Sequence, residues 1–145
     1  MITRTHLRMS LLAILILVPA KLLPAQNVAQ EDKLALDMLK EAAEAYDAYE
    51  ANYYAERALL HEVYDWSVRW MESQRLLSHT TQEHRKAVRA HLDRMTKLAK
   101  QIDALFRVGA RGGERTKYYA SRFYVAEAKH KLAAIREAAR VARER

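Results

Sequence analysis

From Gln26 to the C-terminus the chain contains no proline, and its only glycines are Gly109, Gly112 and Gly113. A sheet must reverse direction every few residues, and those reversals draw on Gly, Pro, Asn and Asp because few other residues adopt the backbone angles required. The long stretch from Gln26 to Val108 carries neither Gly nor Pro, which points to helix. With 50% hydrophobic and 30% charged residues, the chain can bury an apolar face. It is therefore read as all-α, in a single domain over residues 26–145. The expected form is an elongated antiparallel helical hairpin or a three-helix, coiled-coil-like arrangement.

The spacing of apolar residues places the helices. Asn27, with Gln30 three residues later, is suited to cap a helix that starts near Val28. Its seam runs through Leu39, Ala42, Tyr46, Tyr49, Tyr53, Leu60, Val63, Trp70 and Leu77, in steps of three and four once Glu56, Ser67 and Gln74 are admitted. One helix over about 28–77 is expected, about 75 Å long at 1.5 Å per residue. Such a rod has no core of its own and must pair. Thr80 and Glu83 have capping-box spacing and would open a second helix over about 80–108. Thr81 and His84 interrupt the seam there, yet it resumes in register at Val88, Met95, Leu98, Ile102 and Leu105, so a break and a bend at residues 78–80 both stay open. Gly109 suits the left-handed residue that ends a helix, and Gly112 and Gly113 let the chain reverse within a turn at 109–113. No strand pattern precedes this turn and no Gly-Lys-Ser/Thr follows it, which weighs against a phosphate-binding loop. The last helix, about 114–143, has its seam at Tyr118, Ser121, Val125, Ala128, Leu132, Ile135, Ala139 and Ala142. Its small residues suit antiparallel packing against the bulky Tyr and Trp of the first helix.

The first residues follow a different logic. Arg4 and Arg8 precede the apolar run from Ser10 to Val18, and no acid lies nearby. A run of roughly ten residues falls short of a bilayer core of about 30 Å, so residues 1–25 read as a signal peptide. Cleavage is expected after Ala25, with Ala20 as the alternative site and an uncleaved membrane anchor as the competing reading. Export to the periplasm or cell envelope follows from this reading.

Charge is unevenly spread over a chain whose formal total is +7: residues 1–25 carry +3, residues 26–77 carry −6, residues 78–106 carry +3 and residues 107–145 carry +7. A basic C-terminal helix in a chain with an acidic N-terminal one is expected to find its partner within the molecule. No nucleic-acid partner is expected of an exported protein. Arg136, Arg140 and Arg143 are the cations that would meet an anionic lipid or polymer surface if one is bound.

Few residues offer chemistry. There is no cysteine, hence no thiolate nucleophile, no Cys-based metal site and no disulfide. Beyond residue 25 the histidines are His61, His79, His84, His91 and His130, and no two stand four apart on one helical face as a zinc-binding helix requires. They read as solvated or seam-edge residues, with no metal or other cofactor, and a metal-handling role ranks last. Glu41, Glu44, Asp47 and Glu50 read as a solvated face rather than a catalytic set. The aromatic stripe of Tyr46, Tyr49, Tyr53, Tyr54, Tyr64, Trp66 and Trp70 reads first as a helix-pairing seam and second as an interaction surface through Tyr46, Tyr49, Tyr53, Trp66 and Trp70, with Trp66 off the seam and best placed to meet a partner.

The stretch from His91 to Ala134 resembles the helical hairpin segments of TolC-type outer-membrane efflux proteins. The residues that carry the resemblance are Leu105-Phe106-Arg107-Val108-Gly109-Ala110, Tyr118-Tyr119-Ala120 and Tyr124-Val125-Ala126-Glu127-Ala128. The hairpin is also similar to small exported helical proteins of planctomycete-type bacteria. The resemblance implies a shared helical building block and possession of one copy of it. The alternating strands of an outer-membrane barrel are missing from the pattern, so no such channel is expected of a single chain. The expected function is that of a cell-envelope helical protein, not an enzyme, acting by self-association or by docking to a protein partner such as an efflux-type assembly. The alternative is a basic module that binds an anionic envelope surface.

Overall fold

The computed structural model describes residues 23–109 and 114–145, without the side chains of 23–27, 29 and 114. Residues 1–22, most of the expected signal peptide, and 110–113, most of the expected Gly turn, lie outside the described residues. All regular structure among the described residues is helical: α1 (Leu23–Tyr54), α2 (Leu60–Leu76), α3 (Thr81–Arg107) and α4 (Glu114–Glu144).

The single helix expected over 28–77 is two helices, α1 and α2, so the described residues form four helices rather than three. The break falls at residues 55–59, which contain neither Gly nor Pro. Glu56 takes the left-handed conformation, φ 59°. Arg57 N–H donates to the Asn52 carbonyl at 2.8 Å and Glu56 N–H to the Tyr53 carbonyl at 3.0 Å. These are the two bonds of a Schellman ending, here built on a glutamate where glycine is usual. Leu59 N–H then donates to the Glu62 carboxylate at 2.7 Å, which satisfies a free donor at the start of α2. At the other end of α1 the chain is already helical at Leu23 and not first near Val28, so Asn27 lies inside the helix and is not its N-cap.

The second turn is built as a full capping box. Glu83 N–H donates to Thr80 Oγ1 at 3.2 Å, and Thr80 N–H donates to Glu83 Oε2 at 3.0 Å. The chain therefore turns at residues 77–80 and α3 runs back along α2.

α1 packs on α2, α2 on α3 and α3 on α4, with a thin edge contact between α2 and α4. Tyr46 meets Trp70 and Tyr49 meets Trp66, with ring centroids 5.6 and 5.9 Å apart, which fixes α1 and α2 as antiparallel. At one end of the molecule Phe106 stacks on Tyr118 at 4.7 Å, where α3 passes into α4. The core joins Tyr46 and Tyr53 of α1 with Leu60 and Val63 of α2 and Met95, Leu98 and Ile102 of α3. A second cluster at the other end holds Met71, Ala87, Val88 and Leu132.

α1 and α4 are not paired: their Cα atoms nowhere come within 8 Å. This corrects the expectation that the acidic first helix binds the basic last one. α2 and α3 are interposed, because the break at 55–59 lets α1 satisfy its aromatic seam with the next helix in sequence.

Candidate functional site

Two regions carry polar groups in unusual settings. The first is inside the bundle. Ser67 and His91 are fully buried, on facing turns of α2 and α3, with Ser67 Oγ 2.8 Å from His91 Nδ1. Arg94 Nε donates to the same Ser67 oxygen at 2.8 Å, and its terminal nitrogen donates to the Ser67 carbonyl at 3.1 Å. With its oxygen accepting from Arg94, the Ser67 hydroxyl has its own proton to give to His91 Nδ1. That leaves His91 Nε2 buried and without a hydrogen-bond partner. Burial, reinforced by the nearby Arg94 and Lys131 charges, pushes the imidazole down to about 4 from its usual 6.5, so it is neutral at pH 7. The guanidinium of Arg94 lies 4.1 Å over the Trp70 ring and 5.5 Å from Tyr46. Burial lowers its pKa to about 10, and it stays charged.

A serine hydroxyl beside a histidine nitrogen has the spacing of an activated nucleophile. Here neither side chain has surface that a substrate could touch, and Arg94 already holds the oxygen. The arrangement serves to satisfy and orient buried polar groups where α2 and α3 meet. His91 thus corrects the expectation that the histidines are solvated or at the seam edge. It occupies a seam position, one heptad after His84, and no motif distinguished it.

Around this centre Tyr64 stacks on Tyr124 at 4.0 Å and donates its hydroxyl proton to Glu127 of α4. Burial works to raise the Glu127 pKa, but the bonds from Tyr64 and Lys131 outweigh it and hold the carboxyl below the usual range. Lys97 of α3 reaches back to Glu50 of α1 at 3.1 Å.

The aromatic candidates are drawn into this interior. Tyr46 and Tyr53 are buried, while Tyr49, Trp66 and Trp70 are half-buried against the same cluster. Trp66 is not a free surface ring: Tyr49 covers one side and the Arg69 guanidinium lies 4.4 Å over it. Two Tyr–Trp pairs and the packing of Tyr53 against the same core occupy these five within the molecule.

The second region is at the end of the molecule where α3 begins and α4 finishes. A groove of about 750 Å³ between these helices is lined by Arg85, Arg136, Arg140 and Arg143 over Ile135 and Ala139. The structure thus brings the three arginine candidates together and adds Arg85 from α3, which sequence spacing could not link to them. Arg140 is held by Glu137 at 2.7 Å and Glu144 at 2.5 Å. Arg85, Arg136 and Arg143 form no ion pair among the described residues.

At the same end α1 outruns its partner. Leu39 lies beside Gln74, Leu77 and Ser78, where α2 finishes, so the residues before it have no α2 alongside. That projecting part, from Leu23, is about 24 Å long. It leaves Val28, Leu34, Leu36 and Met38 more than half exposed, at 58, 56, 55 and 53%.

These features define an all-α protein whose described residues form four helices with a sealed polar core and one end left open. No protein-family profile matches the chain, and no significant match was found among curated proteins or among solved structures. Among the described residues no group of three or more His, Cys, Asp or Glu is placed to hold a metal ion. No helix among them is long and apolar enough to cross a membrane.

Proposed function

We propose that this chain is an exported cell-envelope protein that works by helix-mediated protein–protein association and not by catalysis. The observation that carries the reading is the projecting part of α1, with Leu34, Leu36 and Met38 more than half exposed on a helix whose neighbour has ended. Leu34 and Met38 stand one turn apart on the same face of this helix, and a helix gains most of its stability from covering such a face, so a segment left bare in this way is suited to another protein. The sealed Ser67–His91–Arg94 centre supports the same reading, since its groups are committed to one another.

Sedimentation of the full-length chain over a range of concentration tests the association. A complex that Leu34→Ser/Met38→Ser dissolves is expected, and a species that stays monomeric and retains no envelope protein contradicts the reading. Export is tested by N-terminal sequencing of the chain after cell fractionation. Cleavage after Ala25 or Ala20 in an envelope fraction is expected, and an intact Met1 in the cytoplasm overturns that part. A relation to efflux-type assemblies rests on residues 91–134, which span parts of α3 and α4, and predicts that the α3–α4 pair is the portion such an assembly would hold.

The Arg85–Arg136–Arg143 groove favours a second reading, a surface that holds an anionic lipid or polymer. Binding of that kind is lost by about 0.3 M salt, where exposed charges are screened within less than 10 Å.

A further inference from the structure

The projecting part of α1 and the α3–α4 groove share one end of the molecule and carry opposite charge. Glu31, Asp32 and Asp37 are exposed on the former, against Lys33, and exposed Lys40 and Glu41 follow just past Leu39. Arg85, Arg136, Arg140 and Arg143 line the latter, against Glu144. No ion pair joins the two sets among the described residues.

We propose that the occupant of the groove is a second copy of this chain: residues 28–41 of α1 from one copy seat between α3 and α4 of the other, and the reverse contact forms at the same time. The inference rests on the association reading above and names its partner and site.

Several features favour a second copy over the molecule's own segment. α1 is an unbroken helix that the Tyr46–Trp70 and Tyr49–Trp66 contacts fasten to α2, so its N-terminal part, clear of α4, cannot turn back onto it without breaking. The groove floor is apolar and its walls are basic. Ala139 and Ala142 are small, Ile135 is apolar, and between them they leave room for the larger Leu34 and Met38 side chains. Acids on the segment then face Arg85, Arg136 and Arg143, the cations that lack a partner of their own among the described residues. Two-fold symmetry makes the same contact twice. Doubling is what brings two short helix-in-groove contacts toward the roughly 1,200–2,000 Å² that stable interfaces bury.

Two charge-reversed forms of the full-length chain test this by sedimentation equilibrium, Arg136→Glu/Arg143→Glu and Glu31→Lys/Asp37→Lys. All four sites are exposed on helices, so both forms are expected to keep the wild-type circular dichroism spectrum. The wild type is expected to dimerise, more weakly by about 0.5 M salt. Each variant alone is expected to raise the dissociation constant about tenfold or more, while an equimolar mixture of the two recovers the wild-type value within a few-fold, since both contacts of the mixed dimer are again complementary. A dimer that neither variant weakens overturns the proposal and leaves the association reading standing. A wild type that is monomeric and captures no envelope protein overturns both. Pelleting with vesicles rich in phosphatidylglycerol supplies the remaining arm: if Arg136→Glu/Arg143→Glu abolishes vesicle binding while the dimer persists, the groove serves a membrane surface and the proposal falls.

Discussion

At position 91 an imidazole occupies a site where a bundle of this kind usually carries an aliphatic side chain, and its Nε2 has no partner. An unpaired buried polar atom costs about 1–3 kcal/mol, so the histidine is there at the expense of stability. Its folded pKa of about 4 lies below the 6.5 expected of an unfolded chain. The unfolded state therefore takes up a proton first as pH falls. The stability the neutral ring contributes is fully present above pH 6.5, and is lost progressively between pH 6.5 and pH 4. At about 1.4 kcal/mol per unit the loss approaches about 3 kcal/mol. Denaturant melts at pH 7.5, 5.5 and 4.5 would measure it. His91→Leu removes the orphaned nitrogen and leaves the Ser67–Arg94 bonds intact, but takes the acceptor from the Ser67 hydroxyl, so the variant is expected to stay within about 1 kcal/mol of the wild type at pH 7.5 and to lose most of the slope below pH 6.5. Ser67→Ala acts in the opposite sense. It strips the partner from both Arg94 Nε and His91 Nδ1 and is expected to cost about 1–3 kcal/mol at pH 7.5. A Ser67→Ala protein as stable as the wild type would show that the buried network contributes little.

The elements were largely legible from their seams, and the one that was missed shows why. Tyr53 and Leu60 are seven residues apart, one heptad, so the apolar count continues in phase across residues 55–59 as though no loop were there. The usual marker of a helix end, a glycine in the left-handed position, is replaced by Glu56 at φ 59°. By contrast, the turn at 77–80 carries its own signal in Thr80 and Glu83, because their reciprocal hydrogen bonds depend on local spacing alone. Both endings are open to test. A left-handed non-glycine residue carries a steric penalty, so Glu56→Gly is expected to stabilise the protein by about 0.5–1 kcal/mol and raise Tm by about 2–4 °C. Thr80→Ala removes an N-cap and is expected to cost about 1 kcal/mol. If Glu56→Gly were instead destabilising, the added freedom of the unfolded chain would outweigh the relief of strain, and the turn would be held by its neighbours more firmly than its hydrogen bonds require.

For the molecule as a whole, the sequence carried the charge asymmetry but not the order in which helices stack. Opposite charge at residues 26–77 and 107–145 pointed to an internal pair, yet the α1–α2 hairpin forms from neighbours in sequence and closes a shorter loop than an α1–α4 contact would. The asymmetry is thereby carried outward to one end. Hydrogen exchange gives this a local readout. The part of α1 from Ala42 to Tyr53 packs on α2, whereas Val28 to Met38 has no helix beside it in a single copy, and helices of that length are marginal in water without tertiary contacts. In dilute protein, amides from Val28 to Met38 are expected to exchange far faster than those from Ala42 to Tyr53. As concentration rises through the association range, protection at Val28–Met38 should increase, and protection along Arg136–Arg143 should rise with the same midpoint, because both surfaces are covered in one event. Protection that rises at Val28–Met38 alone would place the second helix on some other face of the partner. Protection that is uniform along α1 at every concentration would mean that the projecting segment is stable unaided, and its exposed leucines would then no longer argue for a partner.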